Sequence, residues 1–200
     1  MEAGTSTLAQ QKTCGGDRVR TCALSLFASR GYQGVSLRTI AASAGMLAGS
    51  LYHHLESKQQ LLHELIEDHL SALLFALRSS VALADTPAQK LHRYVNTFIQ
   101  VQTAHPEGAL LAHYEWRSLA PEYLAAVSKI RAAQLGMLQG IFASLFRDDI
   151  APVRDSRAAA RMVLGMLEAV PDLIARRDEG VAPGNVLQML EATLLKAFPA

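Results

Sequence analysis

The chain has 200 residues, half of them hydrophobic, with 18% charged side chains and a formal net charge of +1. That composition provides material for a packed core and excludes a disordered or purely charge-coating polypeptide. Two cysteines (Cys14 and Cys22) are too few for a disulfide framework and read as free thiols, and no apolar run reaches the roughly 18 residues that cross a bilayer.

Residues 1–15 are rich in Thr, Ser, Gln and Gly without periodicity, which predicts a flexible arm. From there apolar residues recur at helical spacing almost to the end, and no two-residue alternation appears. The predicted fold is all-α, with about nine helices. The first runs from Asp17 to Arg30 on the stripe Val19, Ala23, Leu26 and Phe27 and stops at Gly31. The second follows Ser36, whose hydroxyl suits an N-cap, and ends at Gly45. A short third spans Ala48 to His54, and a fourth starts at Ser57 and passes Arg78. Pro87, with Thr86 as its cap, and Pro121 suit first turns, giving helices at 87–104 and 121–147, and a further helix at 107–119 begins just after Pro106. The last two are expected at 155–177 and 184–198. No secretory signal is visible at the polar N-terminus, so a cytoplasmic protein without membrane contact is expected.

Residues 16–58 form the most informative stretch. Three short helices joined by glycine-containing turns make a helix-turn-helix candidate. In the third, Leu51 and Leu55 face inward, while Ala48, Gly49, Tyr52 and His53 face outward. Ala48 and Gly49 let backbone approach DNA closely, Ser50 donates to a phosphate, and Tyr52 and His53 carry polar tips to backbone or base edges. Arg38 and Lys58 flank this helix and neutralise phosphate. Charge distribution agrees: residues 1–58 hold six basic and three acidic side chains, against thirteen and fifteen in the remainder. Taken singly, Tyr52, His53 and Arg38 also fit ordinary surface roles; the order of elements carries the weight.

The segments "LFASRGY", "VSLRTIAASAG", "GSLYHHL" and "SKQQLL" follow one another across about fifty residues. This stretch resembles the DNA-binding module of TetR-type (tetracycline-repressor-like) regulators. The resemblance implies a homodimer on a palindromic double-stranded operator, usually a repressor relieved by a small ligand. Carried over by position, it implies DNA contacts from Ser36, Arg38, Ala48, Ser50, Tyr52, His53 and Lys58. Two departures stand out. Met46-Leu47 replaces a small polar residue after the glycine turn, which alters the base edge met by Leu47, and Leu55 stands where Phe is common.

Residues 59–200 are expected to bind ligand and dimerise. The stretches "EWRSLAPEYLAAVSKIRAAQLGMLQGIF" and "LGMLEAVPDLI" are similar to a subgroup that senses acyl-CoA thioesters or related breakdown products, which implies an acyl-CoA-like or otherwise hydrophobic effector. Pocket candidates are Tyr94, Phe98 and Gln102 on the fifth helix, and His113, Trp116 and Arg117 on the sixth. Met137 on the seventh and Met162 and Met166 on the eighth complete the set. Each is equally well read as core filling, and Arg117 as a surface partner of Glu122 or Glu115. Gly165, Val186, Met189, Leu190, Thr193 and Leu194 are expected to form an isologous four-helix dimer surface. His63, Glu67 and His69 share one helix but are not expected to bind metal. No nucleophile elbow, phosphate-cradling loop or acid pair is present, so neither an enzyme nor a cofactor is expected. A ligand carrier without a DNA role and a regulator driven by a protein partner are the competing readings.

Overall fold

A computed structural model describes residues 4–53, 55–147 and 155–175, together with helical positions 188, 189, 192, 193 and 196; side chains are described from Gly15 onward. Among the described residues there are nine α-helices, one 3-10 turn and no strand. The helices are α1 (Gly4–Arg30), α2 (Leu37–Ser43), α3 (Ala48–Leu51), α4 (Lys58–Val81), α5 (Pro87–Ala104), α6 (Pro106–Tyr114), α7 (Pro121–Arg147), α8 (Ser156–Glu168) and α9 (Val170–Ala175). The 3-10 turn, Trp116–Ser118, links α6 to α7.

Several boundaries depart from the sequence reading, each for a local reason. Helix α1 begins at Gly4, inside the expected arm. Leu8, Ala9, Gln10, Gln11 and Lys12 are good helix formers, and no proline interrupts them. Helix α6 ends at Tyr114, and Leu119 is extended at ψ 142°. Ala120 precedes Pro121, and the proline ring disfavours helix at the residue before it. The helix expected at 155–177 breaks after Glu168 into α8 and α9. Pro171 lacks an amide hydrogen, and its ring would meet the carbonyl of residue 167. Of the helix expected at 184–198, only single positions lie within the described residues.

Helix ends are held as the sequence predicts. The hydroxyls of Ser36, Ser57 and Thr86 accept from the amides of Thr39, Gln60 and Gln89. Thr86 and Gln89 close a full capping box.

Two apolar cores divide the molecule, and α4 runs through both. Leu61, Leu62, Leu65, Ile66 and Leu70 join Val19, Phe27, Ile40 and Leu51 in the first core, with Leu111, Ala112 and Val127. Leu73 and Leu77, one turn on, join Leu91, Tyr94, Phe98, Phe142 and Val163 in the second. The border between the two cores therefore lies within α4.

Candidate nucleic-acid interface and sensor interior

The α2–α3 pair is built around one left-handed residue. Gly45 has φ +66°, where a side chain is strained. Its amide donates to Ala42 O at 3.1 Å, and the Met46 amide to Ala41 O at 2.9 Å. Arg18 reaches across from α1 to donate to the Ala44 carbonyl at 2.5 Å. The end of α2 is thus fixed against α1 before α3 begins.

Helix α3 buries Leu51 completely and turns the rest of its length outward. Ala48, Gly49, Tyr52 and His53 are exposed and Ser50 is half-buried; Ser36 and Arg38 are exposed beside them. Tyr52 is 63% exposed and Leu47 is 80% exposed. A large apolar residue this open, at the N-cap of the short helix, belongs to the same surface. His54 lies outside the described residues.

Lys58 has partners within the module. Its Nζ donates to Tyr32 O at 2.6 Å and lies 3.9 Å from the centre of the Tyr32 ring. Burial pushes its pKa below the usual lysine value, against a smaller opposing pull from Glu115. The Lys58 side chain therefore ties α4 to the α1–α2 turn.

That turn is also tied to the opposite end of the sensor region. The Tyr32 amide donates to Glu115 Oε1 at 2.9 Å, and Ser118 Oγ donates to Glu115 Oε2 at 2.8 Å. Gln59 Nε2 donates to Ser118 O at 2.9 Å, and the Ala120 amide donates to Gln59 Oε1 at 2.9 Å. One polar junction therefore joins the α1–α2 turn, the start of α4 and the α6–α7 connection.

Among the described residues, α4, α5, α7 and α8 enclose the second core. Tyr94 and Phe98 are buried in the second core. Tyr94 donates its hydroxyl to Gln134 O at 3.1 Å, and burial raises its pKa. The Gln134 amide donates to Leu70 O at 3.2 Å. Phe98, Gln102 and His113 share a small cavity with Arg131, Gln134 and Glu168. Its volume is about 20 Å³, room for about one water.

Arg131 pairs with Glu168 at this cavity, and its guanidinium also lies 4.9 Å from the Trp116 ring. Arg117 is exposed and stacks on the same ring at 4.5 Å, so it does not reach the cavity. Trp116 is half-buried against the first core, and Met137 against the second. Met162 and Met166 are 62% and 40% exposed. They fall on the outer face of α8 because Ala159, Ala160, Val163 and Leu167 occupy its inner face. His63 stacks on Tyr123 at 4.6 Å, while His69 bonds Gln102, so these two histidines do not converge on one point.

Family models agree with this geometry. Residues 21–65 match the bacterial regulatory proteins of the tetR family, and residues 84–172 match a tetracyclin repressor-like C-terminal domain. The chain belongs to the TetR family. Members of this family are bacterial regulatory proteins. The chain is 40% identical over 75 residues to the HTH-type transcriptional repressor KstR2 of Mycolicibacterium smegmatis, covering 38% of this chain and 37% of that protein. It is 31% identical over 134 residues to KstR2 of Rhodococcus jostii, covering 64% of this chain and 66% of that protein. The matched segments thus span less than two thirds of these relatives. In fold it is similar to AibR, solved in complex with isovaleryl coenzyme A and operator DNA. That match has a TM-score of 0.79 at 22% identity and covers 91% of this chain and 98% of that one.

For a TetR-family chain the outer face of α8 is the notable surface. Gly165 is exposed there between Met162 and Met166, and an added Cβ would meet nothing. Met189 and Thr193 are also exposed, while Val186, Leu190 and Leu194 lie outside the described residues. No helix among the described residues is long and apolar enough to cross a membrane.

Sequence reasoning missed Arg18, Gln59, Glu115, Arg131 and Glu168. Each acts through a partner 26 to 83 positions away, so helical spacing offers no signal for it. Gly34 was legible in principle, since a Cβ there would lie 2.7 Å from Arg30 O.

Proposed function

We propose that this chain is a homodimeric repressor that binds a palindromic operator and is released by an apolar or acyl-CoA-like effector. The observation that carries the reading is the open α2–α3 surface, where Arg38, Ala48, Gly49 and Tyr52 are all exposed on a buried scaffold. Exposed Ser36, His53 and Leu47 extend this surface, and half-buried Ser50 lies within it. A recognition helix of four residues reads few base pairs alone. Two copies about one DNA turn apart, roughly 34 Å, supply the missing specificity. The exposed face of α8, with Met162, Gly165 and Met166, supports pairing there, and by their spacing in the sequence Val186, Met189, Leu190, Thr193 and Leu194 are proposed to take part. A DNA-facing role puts the protein in the cytoplasm.

The junction at Glu115 supports ligand control. A ligand that moves the α6–α7 connection pulls on the Tyr32 amide directly and on α4 through Gln59. Release follows when the ligand binds more tightly to the displaced arrangement than to the DNA-competent one. The isovaleryl coenzyme A bound to AibR favours an effector of this kind.

The test is an anisotropy titration of the full chain against DNA upstream of its own coding region, at two salt concentrations. Saturable binding that weakens steeply with salt, and that Tyr52→Ala impairs, is expected. Salt-insensitive behaviour, with no preference for any fragment selected from random DNA, would sink the repressor.

A further inference from the structure

One cavity among the described residues, lined by Phe98, Gln102 and Gln134, holds about 20 Å³, while another of about 620 Å³ lies at the seam between α1, α4, α5 and α6. The larger volume is in the range of small-molecule sites, roughly 300–1,000 Å³. Its walls come from both halves of the chain. Leu24 of α1 faces Leu65 and Ala72 of α4 and Val101 and Ala104 of α5 across an apolar space.

The polar groups around this space have a definite bias. Arg20 is already engaged by Glu64 and Asp68. Asp68 and Glu107 line the same cavity. Two carboxylates against one committed guanidinium make the opening unfavourable for an anion. The phosphate-rich part of an acyl-CoA does not suit it.

At the inner wall stands His69, which is 9% exposed. Its Nε2 lies 2.7 Å from Gln102 Oε1, so Nε2 carries the proton and Nδ1 is left as an acceptor. Burial lowers its pKa; the bond to Gln102 opposes this, and His105 adds to it more weakly. Nδ1 is on the side of Gly108, where an added Cβ would lie 2.7 Å from it. A glycine there gives the imidazole its place in the wall. Gln102, on the far side of the bond, lines the small interior cavity. The His69–Gln102 pair is therefore the partition between the two spaces.

We infer that the seam cavity is a binding site for a neutral, mostly apolar small molecule, closed off from the sensor interior by the His69–Gln102 hydrogen bond. As the place where an effector acts it rests on the regulatory reading above, since its occupant touches α1 of the DNA-binding module and α4 of the sensor at once.

The experiment uses the full chain and two fluorescent probes, neutral Nile red and anionic 1-anilinonaphthalene-8-sulfonate. Ala72→Trp and Ala104→Trp fill the cavity from exposed positions. Saturable Nile red binding is expected, weakened about tenfold or more in each filled variant and stronger than binding of the anionic probe. Replacing both Asp68→Asn and Glu107→Gln narrows the preference between probes. Equal Nile red affinity in the unaltered protein and both filled variants, or an anionic probe bound as tightly as the neutral one, overturns the site. Operator titration of the same proteins is read separately, so loss of the repressor reading leaves the dye result standing.

Discussion

The two cores differ in what they support. The first, around Phe27, Ile40, Leu51 and Leu62, carries an open polar surface on its outside. Beside the second, around Tyr94, Phe98 and Phe142, two buried polar groups are bonded: Tyr94 donates to Gln134 O, and Gln134 donates to Leu70 O of the first core. A DNA surface needs a rigid base and free side chains. A sensor needs polar groups whose partners can be exchanged. Helix α4 belongs to both, so neither property is independent of the other.

The largest test of that comparison is Leu62→Ala. Leu62 is fully buried in the first core, and its loss should cost about 2–5 kcal/mol in urea denaturation. Because α4 joins the cores, a single transition moving to lower urea is expected by both far-ultraviolet dichroism and the fluorescence of Trp116, the one tryptophan of the chain. Two separated transitions would show that the cores unfold independently.

Next comes Glu115→Ala, which removes the acceptor for the Tyr32 amide and the Ser118 hydroxyl. Loss of hydrogen bonds to a charged group costs about 1–3 kcal/mol. Part of that should appear as weaker operator binding, because the α1–α2 turn positions α2. A variant that loses stability while its operator affinity stays unchanged would confine Glu115 to a structural role.

Arg38→Ala should do the reverse. Arg38 is exposed, so stability should change by less than about 0.5 kcal/mol. Operator affinity should fall, and the slope of its logarithm against salt should drop by about one unit. An unchanged slope would remove Arg38 from the phosphate contacts.

The contrast also explains what the sequence made legible. Ser36, Gly45, Ser57, Thr86 and Pro87 each act within four residues of their own position, and the structure keeps them in the expected capping and turn roles. The outward residues of α3 follow from local helical spacing around Leu51. The sensor was legible in its helices but not in its cavity. Met162 and Met166 share α8 with buried Val163 and Leu167, and only the direction of α8 against α7 decides which side faces in. Lys58 was read from its place at a helix start, yet a carbonyl 26 positions earlier claims its ammonium. The Pro171 break was readable by the rule already applied to the other prolines.

The smallest effect concerns His69 and sharpens the partition between the two spaces. Burial lowers its pKa from the ordinary 6.5, so the folded chain favours the neutral ring. The unfolded chain then takes up a proton that the folded chain resists, and stability falls as pH drops below about 6.5. At higher pH both states are neutral and this contribution is absent. His69→Phe removes the titration, as well as the bond to Gln102. The expected outcome is a variant less stable at pH 7.5 whose further loss between pH 7 and pH 5 is smaller than that of the unaltered protein, measured by urea midpoints. His105 is a second imidazole, exposed and lining the same cavity, so His105→Gln is the control that should leave the acid loss largely in place. If His69→Phe and the unaltered protein lose stability in parallel, the ring is not held neutral by its burial, and the partition has no proton bias.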